Sequence, residues 1–511
     1  MNSNWLTYVG AVLTVFACTA LVIAGYQALD GSAATLLADP LGWLRDADPG
    51  LLSETLATAT GVMLAVLGIA ITVVAIVVEL AANRYNHRIT GLFIREPINI
   101  VVMTFFVITT IVSFWAGATL TPPPPDAVLP HAGFVVSLVL VSISLFLILP
   151  YFAFVISFVS PLNMIAKIRA SAERAIGRAA DHYDPALVAR VTDAVDELHD
   201  VIRSAMELSD RSIAMSGIDA LAQLVDHHQA LRGRLPDQWF SIGETVAADP
   251  DFISLESFAL EGIERDATWF EVKVFRQYLL LMMLSAQQMR DIAYLIAINS
   301  RRITIAAVRG NPQLLQLGIR CFNSYLRSTI NAGDLRTAYY LLNQYRLVAE
   351  AITDDADAPL VNQIAGYFQF YGQLAFGMGQ AFVLEVAAYD VMRLLEASVD
   401  RGSPNVDALL DLLLGFDRRI KDEAQAASLL GVRRAQVQAA TMLLERGDEA
   451  RARRIAADLA GEDRRYLAQV REQLESETRP QYWELTDRGI TFGYLEPARR
   501  AHLERLFSWI E

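Results

Sequence analysis

Cysteine and lysine are nearly missing from this 511-residue chain, with two of the first and three of the second. Cys18 falls in the first apolar run and Cys321 far downstream, so neither a disulfide framework nor a multi-cysteine metal site can be built. Lys167, Lys273 and Lys421 stand against 40 arginines, a skew expected of a GC-rich bacterial genome. Charge of either sign is scarce in the first 160 residues, where four bases (Arg45, Arg84, Arg88, Arg95) meet eight acids. Downstream, 39 bases meet 49 acids, and the net charge of −14 makes nucleic acid an unsuitable partner. Period-two alternation is scarce as well, and no strand is read.

The signatures of catalysis are also lacking. No nucleophile elbow, phosphate-binding loop or paired-carboxylate motif occurs, and Gly377-Met378-Gly379 has neither a preceding strand nor a third glycine. His227 and His228 are neighbours, which a helix points about 100° apart, so they make a poor metal pair. Glu261, Glu264, Asp266 and Glu271, interleaved with Arg265, Lys273 and Arg276, read as an exposed salt-bridged face. His199 with Asp200 likewise reads as a solvated face. The expectation is a protein that is not an enzyme and has no metal or cofactor.

Hydrophobic runs are present in quantity. Apolar residues make up 53% of the chain and the mean hydropathy is +0.31. Four runs are long enough to cross a bilayer as helices: Trp5 to Leu29, Leu56 to Leu80, Ile98 to Leu120 and Ala132 to Val159. Basic residues in the connecting segments go low, high, low, high. Arg84, Arg88 and Arg95 form a basic collar after the second run, and Lys167, Arg169, Arg174 and Arg178 follow the fourth. Both termini are therefore expected in the cytoplasm, with the protein in a bacterial inner membrane. Ser32-Ala33-Ala34 resembles a signal-peptide cleavage region, but the segment before Trp5 has no positive residue and the run is too long.

Within the spans the sole ionisable group is Glu79, at the end of the second, which disfavours a proton- or ion-coupled transporter. Glu79 reads either as an interfacial anchor or as a gate. Thr104, Thr110 and Ser113 in the third span are candidate pore residues, though hydroxyls in membrane helices more often bond a neighbouring helix or their own backbone. Pro150 should kink the fourth span.

The paired spans and the basic linker ending Phe93-Ile94-Arg95-Glu96-Pro97-Ile98-Asn99 resemble an uncharacterised bacterial family of four-span membrane proteins, a domain of unknown function. The resemblance covers about 165 residues. It implies membrane residence and no activity.

The rest of the chain carries helical periodicity, as in Leu187, Val188, Val191, Val195, Leu198, Ile202 and Met206. In three places a Gly is followed five residues on by Ala: Gly333 and Ala338, Gly447 and Ala452, Gly493 and Ala498. The first two stretches are similar to the turns of tetratricopeptide repeats, but the spacing is irregular. The expected fold is all-α: a four-helix transmembrane domain at 1–165, then an irregular solenoid-like cytoplasmic domain at 166–511, with a possible subdivision near 355. The segment from Pro359 to Leu384 has no charge and reads as a buried helix pair, or else as a membrane-dipping or oligomer contact.

Two functions fit. One is a membrane-anchored helical scaffold or sensor that binds a cytoplasmic protein. The other is a homo-oligomeric channel gated by its cytoplasmic helices. The bilayer is the one partner that composition itself implies.

Overall fold

A computed structural model describes residues 48–84, 97–119, 131–417, 429–484 and 488–510, with positions 19, 21, 22 and 486 besides. Most of the expected first span, together with Arg88 and Arg95, lies outside these residues. The described chain is helical, and an isolated bridge between Gln481 and Ile490 is its only β-type pairing. It forms two compact units, Met1–Lys167 and Ile168–Glu511, whereas the sequence placed the division at 165–166.

The first unit contains α1 (Pro49–Arg84), α2 (Pro97–Thr119) and α3 (His131–Val159). Three stretches in them are long and apolar enough to cross a membrane: Gly50–Val77, Pro97–Thr119 and Ala132–Val155. The first expected span, Trp5 to Leu29, lies almost wholly outside the described residues. Met63, Val66 and Ala70 of α1 pack with Phe106 of α2 and with Val141, Tyr151 and Val155 of α3. The helix α3 runs through Pro150.

The second unit is a succession of helices joined by turns and loops. Its first part holds α4 (Pro161–Asp181), which begins in the first unit, then α5 (Pro185–Glu207), α6 (Arg211–Leu231), α7 (Ser257–Arg265), α8 (Trp269–Gln288) and α9 (Arg290–Ala307). There follow α10 (Pro312–Asn331), α11 (Leu335–Ala351), α12 (Ala358–Gly377), α13 (Ala381–Arg401) and α14 (Val406–Leu414). The chain ends with α15 (Leu430–Glu445), α16 (Glu449–Leu459), α17 (Arg464–Ser476) and α18 (Leu503–Ile510).

The turns between these helices follow from local chemistry. Gly333 and Gly447 take φ of +69° and +80°, the left-handed conformation that ends a helix. The next residue is an aspartate in both cases. Its amide closes the old helix (Asp334 N to Thr329 O, 3.0 Å; Asp448 N to Leu443 O, 2.8 Å). Its carboxylate caps the new one, accepting from Thr337 N at 3.2 Å and Arg451 N at 3.1 Å. Ala338 and Ala452, one turn further, are fully buried where the helices meet.

Gly493 and Ala498 do not form such a turn: Gly493 has no positive φ, no helix leads into it, and Ala498 is exposed. The third example is Ser209-Asp210, with φ +57° at Ser209, a cap from Asp210 to Ile213 N at 3.2 Å, and a buried Ala214. A serine in the left-handed position hid it from a search for glycine. The uncharged segment from Pro359 to Leu384 forms α12, the turn after it and the start of α13. These pack face to face, and a Cβ on Gly372 would lie 3.1 Å from Ala387.

Candidate functional site

The spans hold the residues expected to line a pore. Glu79 is exposed near the end of α1, beyond the apolar stretch Gly50–Val77. Thr104 is exposed on α2, whereas Thr110 and Ser113 are buried. The Thr110 hydroxyl donates to the Phe106 carbonyl of its own helix at 2.8 Å. Across helices, Ser144 donates to Thr109 at 3.3 Å and the Tyr151 hydroxyl donates to Asn99 Oδ1 at 2.7 Å. Ser113 and Ser137 bury hydroxyls that have no partner. The outward surface is aliphatic and aromatic: Ile69, Ile108, Ile111, Phe114, Trp115 and Leu149 are all about half exposed or more. Of the basic collar, Arg84 is the last residue of α1.

In the second unit, polar chemistry concentrates on α8. The seven charges from Glu261 to Arg276 do not share one face, because the chain breaks at Ala267 (φ +52°) between α7 and α8. Glu271 and Lys273 consequently turn inward and are fully buried, which corrects the exposed-face reading. The Lys273 ammonium lies 2.7 Å from Asp249, 2.8 Å from Asp196 and 3.0 Å from Asp251. Gln277 adds a hydrogen bond to Asp251 at 2.5 Å. Burial alone would depress the lysine, but the carboxylates outweigh it and hold its pKa above the ordinary value. Burial likewise raises the Asp196 carboxyl, with Lys273 opposing. His199, expected on a solvated face, is largely enclosed nearby with a buried, unpartnered Nδ1, and its desolvation lowers its pKa.

A second network centres on His228 and Glu271. Trp239 Nε1, which can only donate, donates to His228 Nε2 at 2.9 Å. The His228 proton therefore sits on Nδ1 and is donated to Glu271 Oε1 at 2.5 Å. Gln229 donates to the same oxygen at 2.6 Å and accepts from Asn311 Nδ2 at 3.0 Å. Burial raises the Glu271 carboxyl, but the His228 ring, its own amide and Gln229 outweigh that and hold its pKa below the usual range. The Asn311–Gln229 end of this relay forms a wall of a cleft of about 920 Å³ that Arg232, Phe240 and Leu314 also line. Both ring nitrogens of His228 are committed and its side chain has no exposure, so the pair positions the cleft wall.

The sequence offered His228 and Glu271 as separate features. What joins them is the α6–α8 packing, 43 residues apart in the chain. Among the described residues no group of three or more His, Cys, Asp and Glu is arranged to hold a metal ion.

Comparisons with curated proteins and with solved structures found no match. A protein-family model described as "Predicted membrane protein (DUF2254)" matches residues 2–231. The match ends with α6 and so includes the first helices of the second unit, further than the 165 or so residues expected. Over that stretch the chain is similar to a family of membrane proteins.

Proposed function

We propose that this protein is a membrane-anchored helical scaffold or sensor. The spans hold it in a bacterial inner membrane with both termini in the cytoplasm, and the second unit binds a protein partner there without catalysing a reaction of its own. One observation carries the anchor reading: in α1–α3 the outward surface is aliphatic and aromatic, and most hydroxyls, buried or exposed, are satisfied by their own helix or the next. A bilayer needs such a surface, and a conducting path needs the opposite. The basic collar of Arg84, Arg88 and Arg95 supports the orientation. The cleft beside Gln229 and Asn311 is the place on the second unit where the reading puts a partner.

A homo-oligomeric channel is the second reading, favoured by the unpartnered hydroxyls of Ser113 and Ser137. Planar-bilayer recording of the purified protein separates the two. The scaffold reading expects no conductance steps, and steps altered by Glu79→Gln, Thr110→Val or Ser113→Ala would replace it with the channel. For the partner, a photo-crosslinker placed at Asp237 on the cleft should trap a cytoplasmic protein in intact cells. One at the exposed Arg465 should not. Equal trapping at both positions would remove the cleft from the reading.

A further inference from the structure

Between α17 and the single helical turn at Pro497–Arg500, residues 477–484, 486 and 488–496 cross the surface of α11, α13 and α15 as a non-helical strap. It makes a narrow loop closed by the Gln481–Ile490 bridge and by Thr491 N to Pro480 O at 3.1 Å. Leu495 is buried, and polar and ring contacts fix the rest to the helices. Gln438 of α15 donates to the carbonyls of Phe492 and Tyr494 at 2.8 and 3.2 Å. The Phe492 ring stacks on Tyr389, with centroids 4.3 Å apart. Trp483 at the loop's far side is 65% exposed.

A further anchor is Arg488. Its guanidinium binds the fully buried Asp390 of α13 in a fork, at 2.5 and 2.9 Å, and donates to the Tyr339 carbonyl at 3.0 Å. It lies over the Tyr339 ring at 4.5 Å, and the Arg488 side chain is only 3% exposed. Asp390 also faces Arg346 at 3.2 Å, which in turn pairs with Glu350. With Arg488 withdrawn, two carboxylates would share one arginine in a pocket walled by Tyr339 and Tyr389. Such a pocket is complementary to a guanidinium in charge, planarity and aromatic stacking. The fit in cis is also incomplete, because Arg488 Nε is buried with no partner.

We propose that the face of α11, α13 and α15 is an arginine-reading peptide site, occupied in this structure by the chain's own strap. Its ligand in trans is an extended peptide carrying an arginine with an aromatic residue four positions later, as Arg488 and Phe492 stand in the strap. Binding requires the strap to leave. This rests on the partner-binding reading above. Its tests use the protein's own strap, so they succeed or fail independently of crosslinking at the cleft.

The probe is a synthetic peptide of residues 480–496, titrated by fluorescence anisotropy against the full chain in nanodiscs. Arg488→Ala protein should bind it about ten-fold to a hundred-fold more tightly than the unaltered protein does, the range expected for one forked charged contact. The same peptide with alanine at 488 should not bind. Equal affinity for both proteins, or for both peptides, overturns the proposal. So does light scattering that shows the variant exchanging straps between two copies, since the occupant is then a second copy. Hydrogen exchange on the unaltered protein gives an answer that no folding defect can blur. The strap amides should exchange earlier than those of α11 and α13, and exchange in step with α13 makes the strap a fixed part of the fold.

Discussion

The two units bury polar groups in opposite ways. In α1–α3 the buried polar side chains are uncharged, and they spend their hydrogen bonds on their own helix, as Thr60 on Leu56 and Thr110 on Phe106, or on the next, as Tyr151 on Asn99. In the second unit the buried polar groups include full charges gathered from elements far apart in the chain, as Lys273 gathers Asp196, Asp249 and Asp251. The surfaces are reversed as well. Ile69, Ile111 and Leu149 face outward in the first unit, while ion pairs such as Arg454 with Asp407 and Asp411 cover the second. The difference follows from the solvent. A span's unfolded alternative lies in hydrocarbon or at its edge, where a charge has no partner. A helix facing water can bring charges in, provided each arrives with its counter-charge.

The sharpest break in this contrast comes from removing the buried cation. Lys273→Ala leaves Asp249 and Asp251 buried without it, and breaking a buried pair costs roughly 3–5 kcal/mol. Urea denaturation of the full chain in detergent, followed by tryptophan fluorescence, should show that loss in the second unit. A midpoint unchanged from the parent would make the cluster dispensable. Asp417, 7% exposed and bonded by Gln436 at 3.4 Å, gives the next effect. Burial pushes its pKa up to about 6. The folded state thus holds that proton more tightly than the unfolded one, a contribution present at low pH and lost as pH rises through about 6. Asp417→Asn should therefore stabilise the protein by about 3 kcal/mol above pH 7 and change little at pH 4. A pH-independent effect would contradict the sign.

How much of this could be read from the chain alone depended on the range of the interaction. Apolar runs state their own environment, so the spans at Pro97–Thr119 and Ala132–Val155 were legible from composition. The turns at Gly333 and Gly447 were legible because a left-handed residue and an aspartate cap are local signals. Ser209-Asp210 has the same geometry without the glycine and went unseen. The Lys273 cluster and the His228–Glu271 relay were illegible for a different reason. Whether a charge on a helix faces water or a neighbour depends on what packs there, and one left-handed residue at Ala267 rotated Glu271 and Lys273 off the surface their spacing suggested.

Smaller perturbations sharpen the contrast at its local end. Asp334→Ala removes the carboxylate that accepts from Thr337 N and from the Thr337 hydroxyl, and a lost N-cap costs about 1 kcal/mol. The matching change in the first unit is Thr110→Val. It deletes a hydroxyl whose acceptor, the Phe106 carbonyl, already takes part in the helix ladder, and valine fills nearly the same space. In a bilayer the hydroxyl and its acceptor can stay together even when the helices separate, because both lie on one helix. The effect on helix association should therefore stay within about 0.6 kcal/mol, the usual size of such bonds in membrane proteins. Steric trapping or unfolding in mixed detergent would measure it. A loss as large as that of the Asp334 cap would mean that Thr110 spends its hydrogen bond on another helix, and the contrast between the units would narrow at that position.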